Sequence, residues 1–193
     1  QNAENVVWAN VPLQRNYRTN IIGSVLTNPA EFNITIDAEF KGEHLITAKV
    51  STVLDLQNAV NNAKPGLNVI SFNKDIVDVT RADAAGPVEI VIPQVEGVDY
   101  IIDGCGFKFS GRFSIHGNSR HTGAETLTFK NINFVATTAG DFISCDWTDN
   151  ARRYAHNVTV GDCTFTGVDG ADVVGMRFRQ CYNITVKNVK AEN

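Results

Sequence analysis

The stretches "LTFKNINF" (Leu127 to Phe134), "VTVGDCTF" (Val158 to Phe165) and "ITVKNVKA" (Ile184 to Ala191) share one frame. Apolar residues hold the first, third and sixth places, and Asn or Asp holds the fifth. "YIIDGCGF", Tyr100 to Phe107, keeps the apolar frame with Gly104 at the fifth place, so four copies align at steps of 27, 31 and 26 residues. A period in this range signals a repeat architecture, in which each repeat is one supersecondary unit that cannot bury its own apolar face.

The columns of this alignment have a physical meaning. Tyr100, Leu127, Val158 and Ile184 share the first, and Ile102, Phe129, Val160 and Val186 the third. Between them run Ile101, Thr128, Thr159 and Thr185, the period-2 alternation of a strand with one buried face. Cys105, Ile132, Cys163 and Val189 are expected to turn inward after the polar place, with Phe107, Phe134, Phe165 and Ala191 stacked two places later. Gly104, Asn131, Asp162 and Asn188 are read as a turn ladder, because these residue types tolerate left-handed backbone and Asn or Asp also bonds nearby backbone.

A strand, a bend and a second short strand describe one coil of a parallel β-helix, with coils stacked at about 4.8 Å so that each column lies over its predecessor. The expected fold class is therefore all-β, a solenoid. A second beat, "RFSIHG", "DFISCD" and "DVVGMRF", supplies the next strand of successive coils, while "NVISFNKDIVDV" and "PVEIVIPQVEGV" read as earlier, less regular coils. Ahead of these lies "STVLDLQNAVNNAKPG". Thr52 and Asp55 fit a capping box, Leu56, Ala59, Val60 and Ala63 fall on one face, and Pro65 and Gly66 stop the helix. Such an N-terminal capping helix would cover the open apolar end of the stack. Residues 1–46 read as a short β segment and linker, and residues 47–193 as the β-helix.

Composition narrows the function classes. With 43% hydrophobic residues the chain of 193 can bury a core, so disorder is not expected. A net charge of -4 offers no broad basic surface for a phosphate backbone, which argues against nucleic acid as a partner. No apolar run approaches the roughly 20 residues that span a bilayer, and no leader pattern follows Gln1. The chain is then either cytoplasmic or lacks a targeting segment removed earlier. Cys105, Cys145, Cys163 and Cys181 show neither a C-x-x-C pair nor metal-ligand spacing. They are expected to be free, buried thiols; Cys105 and Cys163, two coils apart at roughly 9 to 10 Å, lie too far apart for a disulfide.

Two family resemblances follow. "LDLQNAVNNAKPGLNVISF" with "YIIDGCGFKFSG" resembles the start of a pectate-lyase-like right-handed parallel β-helix over roughly residues 50 to 193. "VPLQRNYRTNIIGSVLTNPAEFNITIDAEF" resembles the closing strands of fimbrillin-like surface proteins of gut bacteria. Together they imply an extracellular or outer-membrane location, and a surface or adhesion module.

The pectate-lyase resemblance also implies an enzyme as a candidate. Glycoside hydrolysis needs two carboxylates roughly 5 to 9.5 Å apart, and lyase chemistry a carboxylate cluster for calcium with a basic residue. The outward column Asp103, Lys130, Gly161 and Lys187 offers one carboxylate and two amines, and no cofactor or metal is implied. Function is therefore expected where the repeat breaks. "CDWTDNARRYAHN" combines Asp146, Trp147, Asp149, Arg152, Arg153 and Tyr154 with His156, a mixture suited to a glycan or protein ligand. "SIHGNSRH" adds His116, Arg120 and His121, two histidines being too few to predict a metal. Stacked loops emerging on one side would let 116–124 and 145–156 form one face. The bland reading of "CDWTDNARRYAHN" is a turn insertion whose charges are solvated and whose Trp147 and Tyr154 pack on the coil wall.

The expected function is a non-catalytic cell-surface β-helix module that binds glycan or protein, with a β-helix polysaccharide lyase or glycoside hydrolase as the alternative. The sequons Asn33-Ile-Thr, Asn157-Val-Thr and Asn183-Ile-Thr are read as by-products of a Thr column beside a turn. The last copy, "ITVKNVKAEN", brings no cap, so an exposed strand edge with Ile184, Val186 and Val189 predicts a fragment of a longer chain or self-association through that coil.

Overall fold

The computed structural model describes residues 45–77, 88–117, 123–145, 154–179 and 181–192. The chain divides into two units, residues 1–42 and 43–193, and the described residues all belong to the second. In order they form β1 (Ile46–Val50), α1 (Val53–Asn61), β2 (Gly66–Phe72), β3 (Glu89–Pro93), β4 (Val98–Asp103), β5 (Lys108–Phe109) and β6 (Arg112–His116). There follow β7 (Leu127–Lys130), β8 (Asn133–Val135), β9 (Gly140–Cys145), β10 (His156–Gly161), β11 (Thr164–Thr166), β12 (Val173–Phe178), β13 (Tyr182–Lys187) and β14 (Lys190–Glu192).

These strands make three sheets, all of whose ladders are parallel. Sheet I has the order β1-β2-β4-β7-β10-β13, sheet II β5-β8-β11-β14 and sheet III β3-β6-β9-β12. From β4 onward the chain visits sheets I, II and III in strict rotation, so each strand pairs with the one three places later. The registers place Tyr100, Leu127, Val158 and Ile184 side by side, and likewise Ile102, Phe129, Val160 and Val186. The Thr column stands between them, with Ile101, Thr128, Thr159 and Thr185 in one row.

The buried face is what the alternation demanded. Tyr100, Ile102, Leu127, Phe129, Val158 and Val160 are all core residues, and they meet the inner sides of sheets II and III. There Phe134 stacks on Phe165 at 4.8 Å with parallel rings, and Phe113 lies 4.9 Å from Phe129. Parallel sheets require cover on their inner faces, and here each sheet is covered by the other two.

Two expectations in the first copy are corrected. Phe107 does not enter the Phe column; Phe109 does, paired in register with Phe134 as Lys108 is with Asn133. Between Asp103 and Lys108 the chain carries two residues more than between Lys130 and Asn133, so the alignment slips after the bend. For the same reason Cys105 does not turn inward: it sits exposed in the longer turn, at φ 52°. The left-handed residues of this copy are therefore Cys105 and Gly106 (φ 81°), where the other copies use Asn131 (φ 52°), Asp162 (φ 54°) and Asn188 (φ 51°). Gly104 is needed for a different reason. A Cβ there would lie 2.4 Å from the Asn131 carbonyl oxygen, so the close passage of the next turn admits no side chain.

Two side-chain bonds link neighbouring turns. Asn131 donates from Nδ2 to Asp103 Oδ1 at 3.1 Å, and Asn188 does the same to Asp162 Oδ1 at 3.0 Å. Burial acts to raise the Asp103 pKa, but the Cys105 amide, Asn131 and the Lys130 ammonium at 3.0 Å together bring it below the ordinary value.

At the other end of the stack α1 behaves as its sequence requires. Thr52 accepts from the Asp55 amide while the Asp55 carboxylate accepts from the Thr52 amide, a reciprocal capping box. Leu56 and Val60 are buried in the core. Gln57 uses its carboxamide as a substitute strand, accepting from Val91 N at 3.0 Å and donating to Val91 O at 3.2 Å, along the edge of β3 that no described strand pairs. No equivalent cover lies over β12 and β13 among the described residues. Val186 is 49% exposed, and an open apolar concavity of about 400 Å³ is lined by Phe142, Phe165, Val173, Met176, Val189 and Ala191 among others.

Candidate functional site

In every repeat the chain passes from sheet III back to sheet I through one corner. Residues 94–97, 117–126, 146–155 and 179–181 make these connections. Both segments expected to carry function therefore arise at the same corner, in successive repeats. Asp146, Trp147, Asp149, Arg152, Arg153, Arg120 and His121 lie outside the described residues. His116 ends β6 and is half-buried. Tyr154 is 7% exposed, and its ring lies 6.5 Å from that of Tyr182 in the next repeat, so it forms part of the corner's wall. His156, grouped by sequence with the loop, is the first residue of β10 and only 3% exposed.

The base of this corner is a buried polar network. Glu125 Oε2 and His156 Nε2 are 2.9 Å apart, with Glu125 6% and His156 3% exposed. The other carboxylate oxygen of Glu125 accepts from the Gly97 amide at 3.2 Å. Burial pushes the Glu125 pKa up, and the His156 and Gly97 hydrogen bonds outweigh it, so the carboxyl sits below its ordinary value. Gln94 spans two repeats: its Nε2 donates to His156 O at 2.6 Å and its Oε1 accepts from His156 N at 3.0 Å. Buried backbone that finds no strand partner is thus satisfied by a side chain. His156 Nδ1 is buried without a hydrogen-bond partner among the described residues.

Close packing fixes the corner further. A Cβ on Gly117 would fall 1.8 Å from the Tyr154 carbonyl oxygen, and one on Gly123 2.0 Å from the Glu125 carboxylate. Both positions therefore need glycine for approach rather than for a turn.

A second asparagine ladder runs through the same corner. Asn157 (φ 50°) and Asn183 (φ 52°) take left-handed backbone just inside β10 and β13. Asn183 Nδ2 donates to Asn157 Oδ1 at 2.9 Å, and Asn157 Nδ2 donates to Gly123 O at 3.1 Å and Glu125 O at 3.2 Å. The recurrence of the N-x-T sequon at one phase of the repeat was the signal for it. Glu125 and Gln94 had no such signal, because neither belongs to a column.

Sheet III carries two ion pairs across its four strands: Glu89 with Arg112 at 2.9 Å and Asp141 with Arg177 at 2.9 Å. Burial raises the Glu89 pKa, yet Arg112 and Ser114 hold it below the usual value. Among the described residues no cluster of three or more His, Cys, Asp or Glu is placed to hold a metal, and no helix is long and apolar enough to cross a membrane.

Residues 1–73 match the model of a family of unknown function (DUF6562), a match that takes in β1, α1 and β2 but less than half of the chain. It is neither of the two families that the sequence resembles. No curated protein and no solved structure matches the chain.

Proposed function

We propose that the chain is a non-catalytic surface module, a right-handed parallel β-helix of the pectate-lyase-like kind, that binds glycan or protein through segments 116–124 and 145–156. The solenoid reading is supported by the strict rotation through three parallel sheets, since parallel crossovers are right-handed in about 98% of cases. The observation that carries the binding reading is the common corner. The described residues that flank both segments, Gly117 and Gly123 in one repeat and Cys145 and Tyr154 in the next, lie at this corner beside the buried network of Glu125, His156 and Gln94. A rigid scaffold presenting variable loops is a common way to build a recognition surface.

A non-catalytic role is favoured by the state of the carboxylates. Glu89, Asp103, Glu125 and Asp141 are each tied to a basic side chain, whereas glycoside hydrolysis requires a pair facing one another across substrate. The extracellular or outer-membrane location belongs to the same proposal and rests on the fimbrillin-like stretch near the N-terminus. Self-association is proposed at the exposed β13 and the apolar concavity beside β12 and β14, where Val186 and Met176 would be covered by a second copy.

A screen of polysaccharides and surface proteins tests this. Binding without turnover, weakened at least about tenfold by Trp147→Ala or Arg152→Ala, is expected, a loss of about 1.4 kcal/mol. Turnover abolished by replacing an acidic residue would overturn the reading in favour of a β-helix carbohydrate-active enzyme.

A further inference from the structure

The same corner holds two thiols to which neither the repeat nor the binding reading assigns a role. Cys145 ends β9 and is fully buried, while Cys181 precedes β13 and is half-buried. Adjacent backbone fixes them together: Phe178 is in register with Cys145, the Arg179 amide donates to the Cys145 carbonyl at 3.0 Å, and Cys181 Sγ donates to Arg179 O at 3.4 Å. Of the groups that act on the Cys181 thiol, the Cys145 side chain acts most strongly. Cys163 stands apart, its Sγ donating to Gly161 O at 3.1 Å, and Cys105 lies exposed at the opposite corner of the repeat.

We infer that Cys145 and Cys181 are a dithiol site that closes to an intrachain disulfide when a small-molecule disulfide is supplied. The chemistry balances in two exchanges. The accessible Cys181 thiol loses its proton and attacks one sulfur of the reagent, forming a mixed disulfide while the first thiolate leaves and takes up a proton. Cys145 then loses its proton and attacks Cys181 Sγ, forming the Cys145–Cys181 bond and expelling the second thiol. Two electrons pass from the protein thiols to the reagent, which is reduced to two thiols. The product joins β9 to β13 across one step of the stack.

The reaction has a recognisable pH dependence. The Cys145 contact, together with burial, pushes the Cys181 thiol well above its ordinary pKa, so little thiolate exists at neutral pH. The rate of closure should therefore rise about tenfold per pH unit across the mildly alkaline range.

Incubation of the intact chain with oxidised glutathione, followed by alkylation and peptide mapping by mass spectrometry, tests the inference. The expected result is one cross-linked product containing Cys145 and Cys181, the two thiols vanishing in equal amounts while Cys163 stays alkylatable after unfolding. In Cys181→Ser the Cys145 thiol should survive the same exposure. A stable glutathione adduct on Cys181 with Cys145 still reduced would overturn the inference. So would oxidation of Cys145 at an undiminished rate in Cys181→Ser.

Discussion

The strands of sheet I have a corner at each end, and the two are made differently. After β4, β7, β10 and β13 the chain turns within residues 104–107, 131–132, 162–163 and 188–189, and from the second copy onward the same left-handed residue recurs. Before these strands it travels through 94–97, 117–126, 146–155 and 179–181, which differ in length and content. The first corner is held by side-chain bonds between neighbouring turns, Asn131 to Asp103 at the end of β4 and Asn188 to its equivalent Asp162. The second is held by unlike groups that meet once, Glu125 with His156 and Gln94 with the His156 backbone. Repetition spreads the energetic cost of a lost contact over equivalent neighbours; a single buried network concentrates it.

The largest effect should follow from breaking that network. Glu125→Ala leaves His156 Nε2 and the Gly97 amide without the acceptor they share, in a site only 6% exposed. Removing one partner of a buried pair costs about 3 kcal/mol, to be read from urea unfolding. A loss below about 1 kcal/mol would mean that the corner is not held by this pair. The pH dependence has a definite sign. The folded pKa of Glu125 lies below its ordinary value, so its contribution is present above the unfolded value and is lost as pH falls through the folded one. Glu89 and Asp103 act with the same sign, so the comparison must be made against Glu125→Gln, whose acid dependence should be shallower than that of the wild type.

Gly104→Ala comes next. The added Cβ would meet the backbone of the next turn at two points, 2.4 Å from the Asn131 oxygen and 2.6 Å from Ile132 Cα, with no flexible side chain able to yield alone. A loss of about 2 kcal/mol is expected in the same unfolding measurement. Near-neutral behaviour would show that the two turns can separate, and would weaken the account of the corner as a continuous ladder.

This contrast also explains what could be read in advance. The first corner and sheet I were legible because a column repeats its evidence four times, from Tyr100 to Ile184 and from Ile102 to Val186. The capping box of Thr52 and Asp55 was legible because it is local. The slip in the first copy was not. Two residues inserted after Asp103 replace Phe107 by Phe109 and expose Cys105, and both alignments look alike when Phe and Cys occur at nearby places. Glu125, Gln94 and the Cys145–Cys181 contact were invisible for a deeper reason. They join residues from irregular segments whose meeting depends on where the sheets bring them, and no periodicity records it.

Within the repeating corner, Asn131→Ala should cost about 1 to 2 kcal/mol, the price of a Cβ-bearing residue without a local polar partner at φ 52°. Asn131→Gly keeps the backbone permissive while losing the bond to Asp103, so it should recover about half of that. Equal losses in the two variants would assign the role of Asn131 to its hydrogen bond rather than to its backbone.

The smallest effect is expected at the equivalent residue of the last copy. Asn188 has nearly the same φ, 51°, and the same kind of bond, 3.0 Å to Asp162. Its surroundings differ, because Asn188 and Asp162 are both exposed and β14 beyond it is exposed at every position. Water can replace the lost amide, and the short strand can shift to relieve the backbone, so Asn188→Ala should cost no more than about 0.5 kcal/mol. In a stack whose units contact only their neighbours, the loss should also stay local, with faster amide exchange confined to β13 and β14. A loss as large as that of Asn131→Ala, or exchange that quickens as far as β7, would show instead that the ladder unfolds as one unit from end to end.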